Sequence, residues 1–235
     1  MTAFLNTHWT DLLVVNYRLD PTAIGLLEEH LPAGTELDTY HGDHYVSVVA
    51  FEFSKTRIMG IPMPFYRSFP EINLRFYVRR KVNGEWRRGV VFIKEIVPCK
   101  LPALIANKVF KENFHVRPLS CETTDKKLTY RWTENDEAQE LQIDRLTELE
   151  TPNPGSLTEH IIDHYWAYKK ITPKVTGEFK VTHRPWKTRP CHNAHINLNL
   201  AKVYGKKWAN ALTPVSTFYA NGSQVGVTNP KKLKT

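Results

Sequence analysis

The sequence predicts an α+β fold, mainly β, built on a curved or barrel-like antiparallel sheet. Three observations predict it. Runs with period-two apolar patterning recur along the chain and are separated by turn-forming residues. An Asn83-Gly84 pair sits between two of the longest such runs, a strong hairpin signal. Helical spacing is confined to a few short segments, so helices flank a sheet rather than build the core. The chain has 235 residues, 41% hydrophobic and 24% charged. That is enough for one large core, and we read residues 1–235 as a single domain with a basic tail from about residue 229.

Each element follows from local chemistry. Asp20 caps a short helix that Pro21 opens and Pro32-Ala33-Gly34 ends. A turn at His41-Gly42-Asp43 leads into a strand, Tyr45–Phe53, apolar at nearly every position. Both of its faces are therefore expected to be covered. Ser54–Pro70 carries Gly60, Pro62, Pro64 and Pro70 and reads as a long apolar loop. It is either a lid or, more simply, a plug in the mouth of the core. Glu71–Arg80 and Arg88–Val97 are the strands of the Asn-Gly hairpin. Leu101–Glu112 is a helix started by Pro102. Val116–Thr123, Lys127–Thr133 and Gln139–Leu146 are strands. Ser156–Tyr168 is a helix with Ser156 and Glu159 at capping-box spacing. Phe179–His183 is a strand, Ala201–Ala211 a helix broken at Gly205, and Val215–Tyr219 and Gln224–Val227 are the last strands.

Composition narrows the function. The net charge is +8, but the basic residues are scattered in pairs such as Arg87-Arg88 and Lys169-Lys170. No basic stripe and no nucleic-acid motif appears, which disfavours a nucleic-acid partner and leaves attraction for anions. The three cysteines, Cys99, Cys121 and Cys191, form no close pair. The N-terminus, MTAFLNTHWTDLL, has no basic and apolar leader pattern, and the longest apolar stretch is too short to span a bilayer. The expectation is a cytoplasmic, reduced protein without membrane contact; its oligomeric state is open. Cys191, His192 and His195 in "CHNAH" lack a fourth ligand, so no metal is expected. Neither G-x-S-x-G nor a phosphate-binding glycine loop occurs, and no cofactor is expected.

The stretch "FPEINLRFYVRR", Phe69–Arg80, carries the candidate site. As a strand it puts Ile72, Leu74, Phe76 and Val78 on one face and Glu71, Asn73, Arg75, Tyr77 and Arg79 on the other. The second face mixes acid, amide and guanidinium at two-residue steps. A buried, mutually satisfied polar cluster needs that mixture, whereas an exposed strand face is richer in Lys, Thr and Ser. Glu71 and Arg75 are about 13 Å apart along the strand, far enough to hold opposite ends of a small ligand. The alternative is an ordinary solvated face.

The order of pieces resembles the YqjF-like family, a family of unknown function in the acetoacetate decarboxylase-like superfamily. The matching pieces are "HWTDLLVVNYRLDPTAIGLLEEHLPAGTELDTYHGDHYVSVVAFEF", "FPEINLRFYVR", "RGVVFIKEIVP", "ANKVFKENFHV" and "HYWAYKKITPKVTGEFKVTHRPW". They spread over most of residues 8–190. The resemblance implies a double-sheet, cone-shaped barrel with flanking helices and a central cavity. In the decarboxylases an acidic strand residue lies near a lysine that forms a Schiff base with a β-keto acid. Glu71 corresponds to that acidic residue. Phe114 and His115 fall where the two lysines stand, and neither side chain can form an imine; Lys108 and Lys111 sit elsewhere in the expected helix.

The leading expectation is a protein that binds a small anionic molecule, with Glu71, Asn73, Arg75 and Tyr77 lining the cavity. Arg75 would clamp the anion. Glu71 and His115 are the acid/base candidates. One alternative is a lysine-independent keto-acid enzyme (hydratase, cyclase or decarboxylase); another is a polyanion binder. For Trp186 in "HRPW", core packing is the simpler reading over a cap on the cavity mouth.

Overall fold

The computed structural model describes residues 3–63, 67–98, 113–144 and 148–234. The chain opens with β1 (Leu5–Leu19), a 3-10 turn (Pro21–Ala23) and one helical turn, α1 (Gly25–Glu28). The Asp20 carboxylate accepts the Thr22 amide at 2.8 Å, which caps that entry. After β2 (Glu36–Leu37) come the left-handed turn residues His41 and Gly42, then β3 (Tyr45–Ile58). β3 overruns the expected strand and folds back at Met59-Gly60 as β4 (Ile61–Pro62). The first part of the expected Ser54–Pro70 loop is therefore a hairpin. Gly60 supplies its positive φ, and Pro62 is tolerated because β4 is an edge.

β5 (Phe69–Val82) and β6 (Glu85–Val97) are joined at Asn83-Gly84, both left-handed as a type I′ turn requires. The helix expected at Leu101–Glu112 lies outside the described residues. β7 (Phe114–Val116), β8 (Leu119–Thr123), β9 (Lys127–Glu134) and β10 (Glu137–Asp144) follow. The helix expected over Ser156–Tyr168 is shorter. α2 (Leu157–Ile162) starts on the Ser156 hydroxyl, which accepts the Glu159 amide, and stops at Asp163. The aromatic and β-branched run beyond it forms β11 (Trp166–Thr172) instead. Then come β12 (Val175–His183), β13 (Thr188–Pro190) and β14 (His195–Asn197). α3 (Leu200–Tyr204) and α4 (Lys206–Ala211) break at Gly205 as expected. The last two expected strands are one continuous strand, β15 (Leu212–Val227), and the basic tail forms β16 (Lys231–Lys234) on β12.

The strands form two sheets. In the larger, β15, β1, β3, β5, β6, β11 and β12 are neighbours in that order, and β12 pairs back to β15. The sheet therefore closes into a barrel. A smaller sheet, β14-β10-β9-β8, lies against one side. Two cores result. Leu13, Val48, Ile72, Leu74, Phe76 and Val78 pack with Tyr130 and Trp132 of the smaller sheet and Trp208 of α4. Val14, Val49, Phe51, Tyr77, Val181 and Phe218 form the other core, inside the barrel. The near-continuous apolar run of β3 is explained: alternate side chains serve opposite cores. No helix among the described residues is long and apolar enough to cross a membrane.

A bulge at Asp11 (φ 55) bends β1 and shifts its register against β3. The Tyr130 hydroxyl donates to the Asp11 carbonyl at 2.7 Å, and Tyr219 donates to its carboxylate at 3.0 Å. The bend brings β1 against Gly222, where a Cβ would lie 1.9 Å from the Trp9 carbonyl oxygen. Only glycine fits there.

Candidate functional site

β5 resolves the sequence pattern. Its apolar face, Ile72 to Val78, turns to the smaller sheet, and its polar face turns into the barrel. Glu71, Asn73, Arg75 and Tyr77 are all buried. A cavity of about 480 Å³ lies beside this face, lined by Glu71, Asn73 and Arg75 together with aromatic and aliphatic side chains and, among further polar groups, Glu95, Lys169 and Lys170. The Asn73 amide donates to Glu71 Oε1 at 3.0 Å, which orients both groups.

Arg75 is a cation inside a barrel. Its terminal nitrogen makes one long bond, 3.4 Å, to the Ile161 carbonyl of α2. Its Nε has no partner among the described residues, nor has Asn73 Oδ1. No carboxylate among the described residues lies at ion-pair distance from it. A buried guanidinium normally has paired charge and five satisfied donors.

A bulge adds a group that the sequence reading missed. The β5–β6 hairpin register runs evenly from its turn to Arg75 opposite Phe92, then slips by one residue at Ile93. Continued evenly, it would put Lys94 opposite Asn73. The slip puts Glu95 there instead, so the carboxylate enters the barrel and lines the cavity. Lys94 turns outward, donating to the Val203 carbonyl and to Glu134.

Comparison with known proteins fits this geometry. The model of the DUF2071 family, described as an uncharacterized conserved protein, matches residues 6–224. The chain belongs to the DUF2071 family. The protein YqjF of Bacillus subtilis (strain 168), itself described as uncharacterized, is 26% identical over 182 residues, 76% of this chain and 72% of its own. Among solved structures, acetoacetate decarboxylase from Legionella pneumophila is similar at TM-score 0.67 and 12% identity, over 99% of this chain and 88% of that one. The enduracididine biosynthesis enzyme MppR, in complex with the condensation product of pyruvate and imidazole 4-carboxaldehyde, is similar at TM-score 0.66 and 13% identity, over 100% and 91%. An acetoacetate decarboxylase-like enzyme from Sphingomonas wittichii RW1 is similar at 0.61 and 14%, over 100% and 95%. The DUF2071 chain thus has the acetoacetate decarboxylase-like fold, a double-sheet barrel with few helices.

The barrel brings three of the five expected site residues of this DUF2071 chain together: Glu71, Asn73 and Arg75. Tyr77 shares their face but packs beyond the cavity. Ser47 donates its hydroxyl to Asn16 Oδ1 at 2.6 Å, so the Tyr77 hydroxyl, also 2.6 Å away, must donate to Ser47. His115 does not join the others. It pairs with Ile96, whose side chain belongs to the core outside the barrel, and its Nε2 lies 3.1 Å from Asn113 Oδ1. Burial and the nearby Lys94 and Arg117 charges lower its pKa. Phe114 packs toward the barrel interior. Trp186 is core packing, with its ring nitrogen donating to Ser223. Lys108 and Lys111 lie outside the described residues.

A second polar group missed in the sequence closes one end of the barrel. α2 plugs that end with Ile161, which is fully buried. Around it stand Asp38, Arg88, His160 and His164. Arg88 donates to Asp38 Oδ2 at 2.7 Å, and its other nitrogen lies 2.5 Å from His160 Nδ1. His164 Nε2 is 3.7 Å from Asp38, too long for a hydrogen bond. Burial lowers the His164 pKa to about 3, with the Arg88 and Arg75 charges acting the same way against the Asp38 contact. Burial and Arg88 bring His160 to about 4. Burial raises the Asp38 pKa, but His164 and Arg88 outweigh it and hold the carboxyl well below its usual range. The donor atoms of Asp38, His160 and His164 lie within 4.8 Å of one another, a metal-ligand set by distance. Arg88 already places a cation on two of the three, so the cluster is neutralised by protein. In the "CHNAH" segment, Cys191 bonds the Arg189 carbonyl and His195 lies 3.8 Å from Glu140.

Proposed function

We propose that this protein binds a small organic anion in the barrel cavity, anchored by Arg75, with Glu71 as hydrogen-bond acceptor or proton-transfer group. The observation that carries the reading is the buried Arg75 guanidinium with a free Nε–H and no carboxylate partner among the described residues. Stripping a cation of water without pairing it is costly, and a bound carboxylate offsets that cost with two parallel charge-assisted bonds. The similar fold of MppR, solved in complex with pyruvate, supports a small carboxylate in this kind of barrel.

The test is calorimetric titration of the full chain with a panel of small carboxylates and their amides. Wild type is expected to bind at least one acid and to ignore its amide. Arg75→Met keeps the volume but removes the charge, so it should leave folding intact or firmer while weakening binding at least tenfold. Unchanged binding by the variant would defeat the assignment.

We further propose that any chemistry here proceeds without a Schiff base, because Phe114 and His115 stand at the positions that the resemblance matches to the reactive lysines. Incubation with acetoacetate and borohydride should leave the mass unchanged. A reduced adduct on any lysine, whether Lys108, Lys111 or the cavity-lining Lys169 and Lys170, would overturn this.

A further inference from the structure

We infer that the anion is an aryl carboxylate, a flat aromatic body joined closely to the acid; this rests on the cavity reading above. Besides the buried rings of Phe51, Phe53 and Tyr168, three aromatic rings from three strands line the cavity: Trp9 of β1, Phe92 of β6 and Phe179 of β12. Each of these three stands on an inward-facing position, and each is only partly buried. Inward rings in a closed barrel normally lose their solvent contact to neighbours. Here the surface left open is aromatic, and a flat apolar group would cover it. Trp9 is held in place for this by Phe51, 4.9 Å away between ring centres, and by Phe53 at 5.9 Å.

Two further features set the ligand's shape. Phe92 stands directly opposite Arg75 in the β5–β6 ladder. Directly opposed side chains have Cβ atoms roughly 5 Å apart, so the anion site and the ring wall adjoin. The acid must therefore sit within a short arm of the ring. The cavity, about 480 Å³, falls in the size range that holds drug-sized ligands and exceeds the needs of a four-carbon acid. The Trp9 ring N–H is buried and has no partner among the described residues. It offers a donor to an oxygen substituent on the ring or arm.

The experiment compares 3-phenylpropanoate, butanoate and 3-phenylpropanamide by calorimetry on wild-type full chain. The phenyl acid is expected to bind at least tenfold more tightly than butanoate, and the amide to bind at least tenfold more weakly than its acid. Phe92→Leu and Phe179→Leu keep most of the volume. Each should weaken the phenyl acid severalfold and by more than it weakens butanoate. Equal affinity for phenylpropanoate and butanoate overturns the aryl assignment and leaves the anion reading standing. An amide as tight as the acid overturns the anion reading and leaves the ring wall. Absence of binding by both acids to wild type overturns both. The wild-type comparison decides the matter even where a variant fails to fold.

Discussion

Asn73 meets Glu95 only because Ile93 is an extra residue in β6. That detail marks the limit of what single residues disclose. The inward direction of Glu71, Asn73 and Arg75 was legible from alternation alone, because a strand's side-chain period is two. Glu95 was not, because a bulge leaves no trace in the alternation of the partner strand and reverses every face beyond it. Tyr77 shows the converse: its face was legible, but its hydroxyl is spent on Ser47, and Ser47's on Asn16. The Asn16 amide in turn donates to Ser216 at 3.0 Å. Tyr77→Phe removes one donor from this buried chain while keeping its ring. It should cost about 1–3 kcal/mol in urea unfolding and leave carboxylate binding within twofold. A large loss of binding at unchanged stability would move Tyr77 from the packed network into the ligand site.

At the scale of the element, α2 was legible at its start and misread at its end. Ser156 and Glu159 mark the cap, but nothing local announces that the helix stops at Asp163 and yields to β11. The cost of that misreading was the cluster beneath the barrel. His160 and His164 meet Asp38 and Arg88 from distant parts of the chain, and no spacing rule connects them. Their titration makes a prediction with a definite sign. Both folded pKa values are lowered, to about 4 and about 3. Below pH 6.5 the unfolded chain takes up protons on these histidines that the folded chain refuses, so stability falls as the pH drops from 6.5 toward 4. His164 alone should remove roughly 2 kcal/mol at pH 5. The lowered Asp38 pKa acts in the same direction but only below its unfolded value near 3.8. Denaturation midpoints between pH 7 and 5 should fall in wild type and fall less steeply in His164→Phe, where His160 still contributes. An equal slope in both would show that His164 charges freely in the folded protein.

For the whole molecule, the hairpins were legible, and a barrel was expected from the strand pattern and the resemblance. The strand pairs that close it were not legible. Hairpins announce themselves through turn residues, whereas a barrel closes through pairs far apart in the chain. One long-range join, β1 with β15, is extensive, and the other two are short. β6 and β11 pair in parallel at only two positions, Trp166 with Gly89 and Ala167 with Val90, and β12 joins β15 at three. Long-range joins of this kind gain no help from a tight turn and repay the loop entropy with few bonds. Gly89 makes the first join possible, since a Cβ there would lie 2.7 Å from the Trp166 carbonyl oxygen and from the Tyr168 ring. The ring could move; the carbonyl, fixed in β11, could not. Gly89→Ala should therefore part β6 from β11, beside Arg88 at the plug and Phe92 at the cavity. The expected result is a destabilisation of about 1–3 kcal/mol, faster amide exchange in β11 than in β3, and weaker carboxylate binding. Wild-type exchange throughout β11 in the variant would show that the barrel does not depend on this join.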